Sequence, residues 1–234
     1  MTGLLVSVRD STEALAALNG GADVIDIKEP RAGSLGAAEV GTWHKISHVV
    51  AAAKPISVAL GELQDDAVFE LARQAGGMQF AKIGLSCCKD EFDWSTRWHR
   101  AIACLPSEVA SAAVIYADHV VAGSPLPEVI VQQAIEFECA AILFDTYSKT
   151  NGNLFDYLGE QELRSLCREA RRVGMKVVLA GSLRGDLVLR GLGLEPDYIA
   201  VRGAVCRGDR RAAVDQSLIK SLADIVHDCS SAAC

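Results

Sequence analysis

Eight short apolar runs, each followed by a longer amphipathic stretch, recur along this chain at residues 4–8, 24–28, 56–60, 79–85, 111–117, 141–146, 176–180 and 198–202. Strands alternating with helical stretches build βα units around a parallel sheet. The runs are almost continuously apolar, as strands covered on both faces must be. Helix marks fill the gaps. Ser11-Thr12-Glu13 opens the first helix and Gly20-Gly21 closes it, while Asp65-Asp66 opens another that stops at Gly76-Gly77. Pro125 and Pro127 suit the first turn of the helix after the fifth run, a stretch over 163–172 ends at Gly174, and the last helix covers 217–226. The predicted fold is therefore α/β, a (βα)8 TIM barrel in one domain over residues 1–234. An open doubly wound sheet is the alternative, but no GxGxxG follows the first run.

Such a barrel usually takes ~250 residues, with ~200 as the lower limit, and the 234 here suffice. A net charge of -7 argues against a nucleic-acid surface, which needs clustered Lys and Arg. It leaves room for a small anionic substrate, because a few cations inside one cleft set the local field. The N-terminus lacks the charged start and cleavage site of a signal peptide, and no apolar stretch reaches ~20 residues, so a cytoplasmic protein without membrane contact is expected. Eight cysteines, Cys87, Cys88, Cys104, Cys139, Cys167, Cys206, Cys229 and Cys234, form no CxxC pair. Neither a metal site nor a disulfide framework is predicted; Cys206, beside a strand end, is singled out.

A TIM barrel carries its active site at the carboxyl ends of the strands, so polar residues that interrupt the apolar runs there are informative. Asp26-Ile27-Lys28, Lys82 before Gly84, Tyr116-Ala117-Asp118, Asp145-Thr146-Tyr147, Gly181-Ser182 and Arg202-Gly203-Ala204 all fall there. Side chains alternate along a strand, so with Ile27 toward the helices, Asp26 and Lys28 both point into the barrel. Buried lysines need a reason. An Asp26–Lys28 ion pair closing the mouth, with Lys82 snorkelling to water, is the bland one. The chemical one is that desolvation and a second cation lower a lysine's pKa and make it a nucleophile toward carbonyls, Lys28 and Lys82 acting on each other. Glycines after the seventh and eighth strands, Gly181-Ser182 and Gly203-Ala204 with Arg202, mark a phosphate site, although each alone is also an ordinary turn. Arg31 and Ser34 lie in the turn-rich loop 29–36 that can fold over the site, where Arg31 meets a phosphate or is a solvated loop cation.

The stretches Gly20-Gly21-Ala22-Asp23-Val24-Ile25-Asp26-Ile27-Lys28, Gly33-Ser34-Leu35-Gly36-Ala37, Asp145-Thr146-Tyr147-Ser148-Lys149, Leu179-Ala180-Gly181-Ser182-Leu183 and Val201-Arg202-Gly203-Ala204 together resemble the (5-formylfuran-3-yl)methyl phosphate synthases. The resemblance covers most of the chain. It implies condensation of two glyceraldehyde 3-phosphate molecules to 4-(hydroxymethyl)-2-furancarboxaldehyde phosphate, with loss of phosphate and water, on the way to methanofuran or methylofuran. It further implies Lys28 as the Schiff-base lysine, Lys82 as proton acceptor, Asp26, Asp145 and Lys149 lining the site, and no metal or organic cofactor. Glu29 stands where the family pattern leads one to expect Asn, and Arg31 where Lys is usual. Two other functions stay open at this level: a class I aldolase on triose phosphates, and a non-catalytic barrel that binds a phosphorylated metabolite. Oligomeric state, a homo-oligomer included, is not fixed by the sequence.

Overall fold

The structure, a computed structural model, describes residues 1–231. Eight parallel strands, β1 (Gly3–Val8), β2 (Val24–Ile27), β3 (Ile56–Glu62), β4 (Phe80–Gly84), β5 (Ala110–Tyr116), β6 (Ala141–Asp145), β7 (Lys176–Leu179) and β8 (Tyr198–Val201), close into a barrel in chain order, β8 pairing with β1. The helices are α1 (Ser11–Asn19), α2 (Val40–Val50), α3 (Ala67–Arg73), α4 (Trp94–Ile102), α5 (His119–Ala122), α6 (Pro127–Glu136), α7 (Leu154–Tyr157), α8 (Glu160–Arg172), α9 (Asp186–Leu192) and α10 (Gln216–Ser231).

Most expected helix signals act where they stand. Asp10 caps α1, its carboxylate accepting the Glu13 N–H at 2.9 Å, and Gly20 ends it. Pro127 occupies the first turn of α6, whereas Pro125 lies ahead of the helix in the connecting loop, a correction to the expectation. The single-turn helices α5 and α7 carry too little periodicity to be legible in sequence. Lys28 lies just beyond β2, yet its N–H still donates to the Val8 carbonyl at 3.0 Å and so extends the ladder by one residue.

Alternation along each strand separates two cores. Leu4, Val6, Val8, Ile25 and Ile27 face outward into the layer shared with Trp43, Ile46, Leu163 and Ile219 of the helices. Leu5, Val24, Ala59, Val114, Leu143, Val178, Ala180 and Ala200 face inward. Bulky branched residues ordinarily fill a barrel interior, but several positions here are alanine. The barrel is consequently hollow, with a cavity of about 680 Å³.

Candidate active site

The cavity is lined by strand residues from every part of the barrel and opens among the loops at the strand C-termini. With Ile27 turned to the helices, Asp26 and Lys28 enter the interior from β2, as the alternation demands. Asp26 is 1% exposed and pairs with the ammonium of Lys82 on β4, not with Lys28. Ser7 of β1 donates to the other Asp26 oxygen at 2.8 Å, and Ser57 of β3 accepts from Lys82 at 3.3 Å. Burial pushes the Asp26 carboxyl up, but the charges of Lys82 and Lys28 and the hydrogen bonds outweigh it and leave the group below its ordinary value.

Lys28 differs. It is 8% exposed, lines the cavity, and its amine has no hydrogen-bond or ion-pair partner among the described residues. Burial lowers its pKa from 10.5 to about 7, against the opposing pull of Asp145 and Asp26; Lys149 and Lys82 add smaller downward pushes. Of the two causes expected, desolvation is thus the main one, and the second lysine, Lys82, ranks last of these influences.

Across from Lys28, Asp145 at the end of β6 pairs with Lys149 at 2.6 Å. The carboxylate also accepts the Thr146 N–H at 2.8 Å and the Ser34 hydroxyl at 3.2 Å. Burial raises its pKa, and the charges of Lys149 and Lys28 more than reverse this, bringing it to about 2. Lys149 is itself pushed down by burial, against the pull of Asp145. Ser34 is buried and also donates to the Thr146 carbonyl at 2.9 Å, so loop 29–36 is pinned to β6. Gly36 lets that loop fold on itself: a Cβ there would stand 2.4 Å from the Glu29 carbonyl oxygen. Glu29 caps the following turn by accepting the Arg31 N–H at 2.8 Å.

Other expected site residues serve the frame. Tyr116 donates its hydroxyl to Glu62 at 2.6 Å, and burial raises its pKa well above 10. Asp118 accepts the N–H groups of Tyr147 (2.6 Å) and Ser148 (2.8 Å), fixing the loop that carries Lys149. Neither lines the cavity, and the exposed Arg31 does not either. Gly181, Ser182, Gly203 and Ala204 do line its mouth. Gly181 (φ 86°) and Ser182 (φ 58°) are both left-handed; a β-carbon on Gly181 would meet Leu154 and Thr146 at 3.1 Å, so the turn after β7 is held from outside.

Arg202, expected as a phosphate cation, lines the cavity with its donors engaged inside the protein. Its guanidinium bridges the buried Glu13 at 2.7 and 3.1 Å and donates to the carbonyls of Ser7, Arg210 and Ala212. All five N–H groups are taken. The arginines at the mouth without a carboxylate partner among the described residues are Arg184, Arg210 and Arg211. Arg210 leans across from the β8 loop, with long contacts to the carbonyls of Pro30 (3.5 Å) and Gly33 (3.4 Å), and burial lowers its pKa. Sequence reasoning missed these arginines because loop positions carry no period. Ser7 and Ser57, by contrast, interrupt apolar runs and were findable.

No group of three or more His, Cys, Asp or Glu among the described residues is arranged to hold a metal. The seven described cysteines are free, and Cys234 lies outside the described residues. Cys206 is buried, its thiol donating to the carbonyls of Arg202 (3.3 Å) and Ala212 (3.4 Å), with its pKa raised by burial. It is a packing thiol. No helix among the described residues is long and apolar enough to cross a membrane.

A family model described as 4-HFC-P synthase matches residues 4–223. A (5-formylfuran-3-yl)methyl phosphate synthase of Methanopyrus kandleri is 36% identical over 94% of this chain and 97% of its own. One from Methanosarcina acetivorans is 33% identical over the same shares. Among solved structures, phosphoribosyl anthranilate isomerase from Thermotoga maritima aligns with a TM-score of 0.63 at 16% identity, covering 97% of this chain and 100% of that one. Thiamine phosphate pyrophosphorylase from Pyrococcus furiosus gives 0.63 at 16%, covering 97% and 96%. At that identity these two share the fold alone.

Proposed function

This chain belongs to the 4-HFC-P synthase family, and on that premise we propose that it condenses two glyceraldehyde 3-phosphate molecules to (5-formylfuran-3-yl)methyl phosphate through an imine on Lys28, in methanofuran or methylofuran biosynthesis. The observation that carries the mechanism is Lys28 itself: a buried amine with a pKa of about 7, facing the cavity without a partner. A neutral amine at neutral pH attacks an aldehyde; an ammonium does not.

In this reading the Lys28 nitrogen adds to the aldehyde of one triose phosphate, and loss of water gives the iminium. The iminium acidifies the neighbouring carbon, and the hydrogen-bonded Asp26–Lys82 pair accepts its proton to leave an enamine. The enamine expels phosphate from C3 of the same triose, and that carbon then attacks the carbonyl of the second triose, which proton transfer has shifted to its ketose form. The C1 hydroxyl of the second triose closes the ring on C2 of the first, two waters are lost, and hydrolysis returns Lys28 and frees the formyl group. Every step is an addition, an elimination or a proton shift, so no external oxidant or reductant enters. The Asp145–Lys149 pair, on the other side of Lys28, supplies a proton to the departing phosphate or hydroxide.

Arg184, Arg210 and Arg211 suit the substrate phosphates, with the Gly181-Ser182 and Gly203-Ala204 turns offering backbone approach. A charge-assisted hydrogen bond contributes ~1.5–3 kcal/mol, or roughly 10- to 100-fold in affinity. Arg184→Ala and Arg210→Ala are accordingly expected to raise KM for glyceraldehyde 3-phosphate by at least ~10-fold each, with kcat changing far less, in steady-state kinetics. Imine trapping of unphosphorylated glyceraldehyde at Lys28 should be indifferent to both.

Incubation with glyceraldehyde 3-phosphate tests the reaction, watching for a furan absorbance that grows with released phosphate. An open-chain aldol product without furan would mean an aldolase instead.

A further inference from the structure

Apart from Asp145 and Arg202 near the mouth, the buried polar groups of the barrel interior lie on one side. Ser7, Asp26, Lys28, Ser57 and Lys82 all arise from β1–β4, on the strands or directly after them. Below Asp145, the same cavity is walled on the β5–β8 side by Ala112, Ala141, Leu143, Val178, Ala180 and Ala200. Four of these six are alanines where bulky residues would ordinarily fill the barrel, and the space they leave runs down to Phe80, Lys176 and Tyr198 at the strand starts. Lys176 there is turned to Asp197 at 3.8 Å and to the Tyr198 ring at 6.0 Å from its centroid, so no charged group of the lower end is left facing upward unpaired.

An apolar wall of this kind holds water poorly and favours a ligand with apolar faces. The partnerless amine of Lys28 lines the same cavity. We propose that the β5–β8 wall is a binding pocket for a small unphosphorylated aromatic aldehyde, a furan or benzene ring bearing a formyl group, whose carbonyl carbon is presented to Lys28. The nitrogen lone pair forms the N–C bond as the carbonyl π electrons move to oxygen; protonation and loss of that oxygen as water leave the C=N bond. The inference rests on the reading of Lys28 as an imine-forming lysine and goes beyond it. Ring burial, not phosphate binding, supplies the affinity, and the aromatic ring of the furan product has a place to lie.

Furfural is the probe. Wild-type protein is incubated with furfural, glycolaldehyde or glyceraldehyde 3-phosphate at about pH 8, reduced with borohydride, and digested for mass spectrometry, each aldehyde normalised to its trapping on N-acetyl-lysine amide. A reduced adduct is expected at Lys28, with furfural preferred over glycolaldehyde by at least ~10-fold, the affinity that burial of one ring readily provides. Ala112→Leu and Ala200→Leu, which fill the wall, should each reduce that preference toward unity while glycolaldehyde still labels Lys28. Thermal melts verify that both fold, and the wild-type preference is a complete readout if either does not. Lys28 labelled by glycolaldehyde or glyceraldehyde 3-phosphate without any preference for the ring overturns the pocket and leaves the imine reading standing. Undiminished preference in the folded leucine variants also overturns it. Absence of any adduct with all three aldehydes removes the imine reading and the pocket with it.

Discussion

Lys28→Arg is expected to abolish furan formation, with kcat/KM falling at least ~10⁴-fold, while the protein stays folded and still binds triose phosphate. Arginine keeps a cation in the cavity but holds its proton and cannot form an imine. The loss should exceed the ~10²–10⁴-fold typical of a general acid or base, because the covalent route disappears entirely. Borohydride reduction in the presence of glyceraldehyde 3-phosphate separates binding from chemistry: wild type acquires an adduct at Lys28 and the variant none. The pH dependence follows from the same group. Burial disfavours the charged amine and lowers its pKa to about 7, so imine formation rises as pH rises through about 7. Below that point the rate should fall ~tenfold per pH unit. Asp145 is the charge that most opposes the lowering. Asp145→Asn should therefore move the acid limb to lower pH, in a profile of single-turnover trapping. Substantial furan synthesis by Lys28→Arg would end the assignment.

The barrel was legible because a parallel sheet covered on both faces writes itself as repeated apolar runs, and the closed strand order follows from eight of them. Asp26, Lys28, Lys82 and Asp145 were legible for the converse reason: an ionisable group in such a run must point at something polar. Which groups pair was not. Asp26 stands beside Ser57, and Ser57 beside Phe80, in a staggered register that brings Lys82 to Asp26 and leaves Lys28 free. Stagger is a property of the closed barrel, not of any one strand. Tyr116 and Asp118 were recognised as polar at the right end of β5, but a strand end contributes both cavity groups and ties to the next loop. Alternation alone does not say which, and the partners that decide it are Glu62, which accepts from Tyr116, and the backbone N–H groups of Tyr147 and Ser148, which donate to Asp118. Arg184, Arg210 and Arg211 come from loops, where neither helical nor strand periodicity exists to single out one arginine from another.

Arg202 shows the same ambiguity with a larger consequence, and Arg202→Met is expected to destabilise the protein by ~3–5 kcal/mol, as breaking a buried ion pair does. The guanidinium and Glu13 are 2% and 3% exposed, so water cannot replace the lost partner. Three carbonyls, those of Ser7, Arg210 and Ala212, lose their donor at the same time. Arg9 also bonds Glu13, at 3.0 Å through its guanidinium, and keeps part of the carboxylate satisfied, which argues for the lower end of the range. In a chain of this size ~2–4 °C of Tm accompanies each kcal/mol, so at the lower end, ~3–4 kcal/mol, a drop of roughly 6–16 °C should appear by calorimetry. Arg202→Lys should recover little of it, because one ammonium cannot span both Glu13 oxygens and three carbonyls. The pair Glu13→Leu with Arg202→Met should melt higher than Arg202→Met alone, since it leaves no uncompensated carboxylate. A phosphate-binding Arg202 predicts the reverse pattern: unchanged melting, a large rise in KM, and rescue by Lys. The bidentate bridge across β8 and α1 makes the first pattern the expected one, because a guanidinium whose N–H groups are all engaged has none left to give a phosphate.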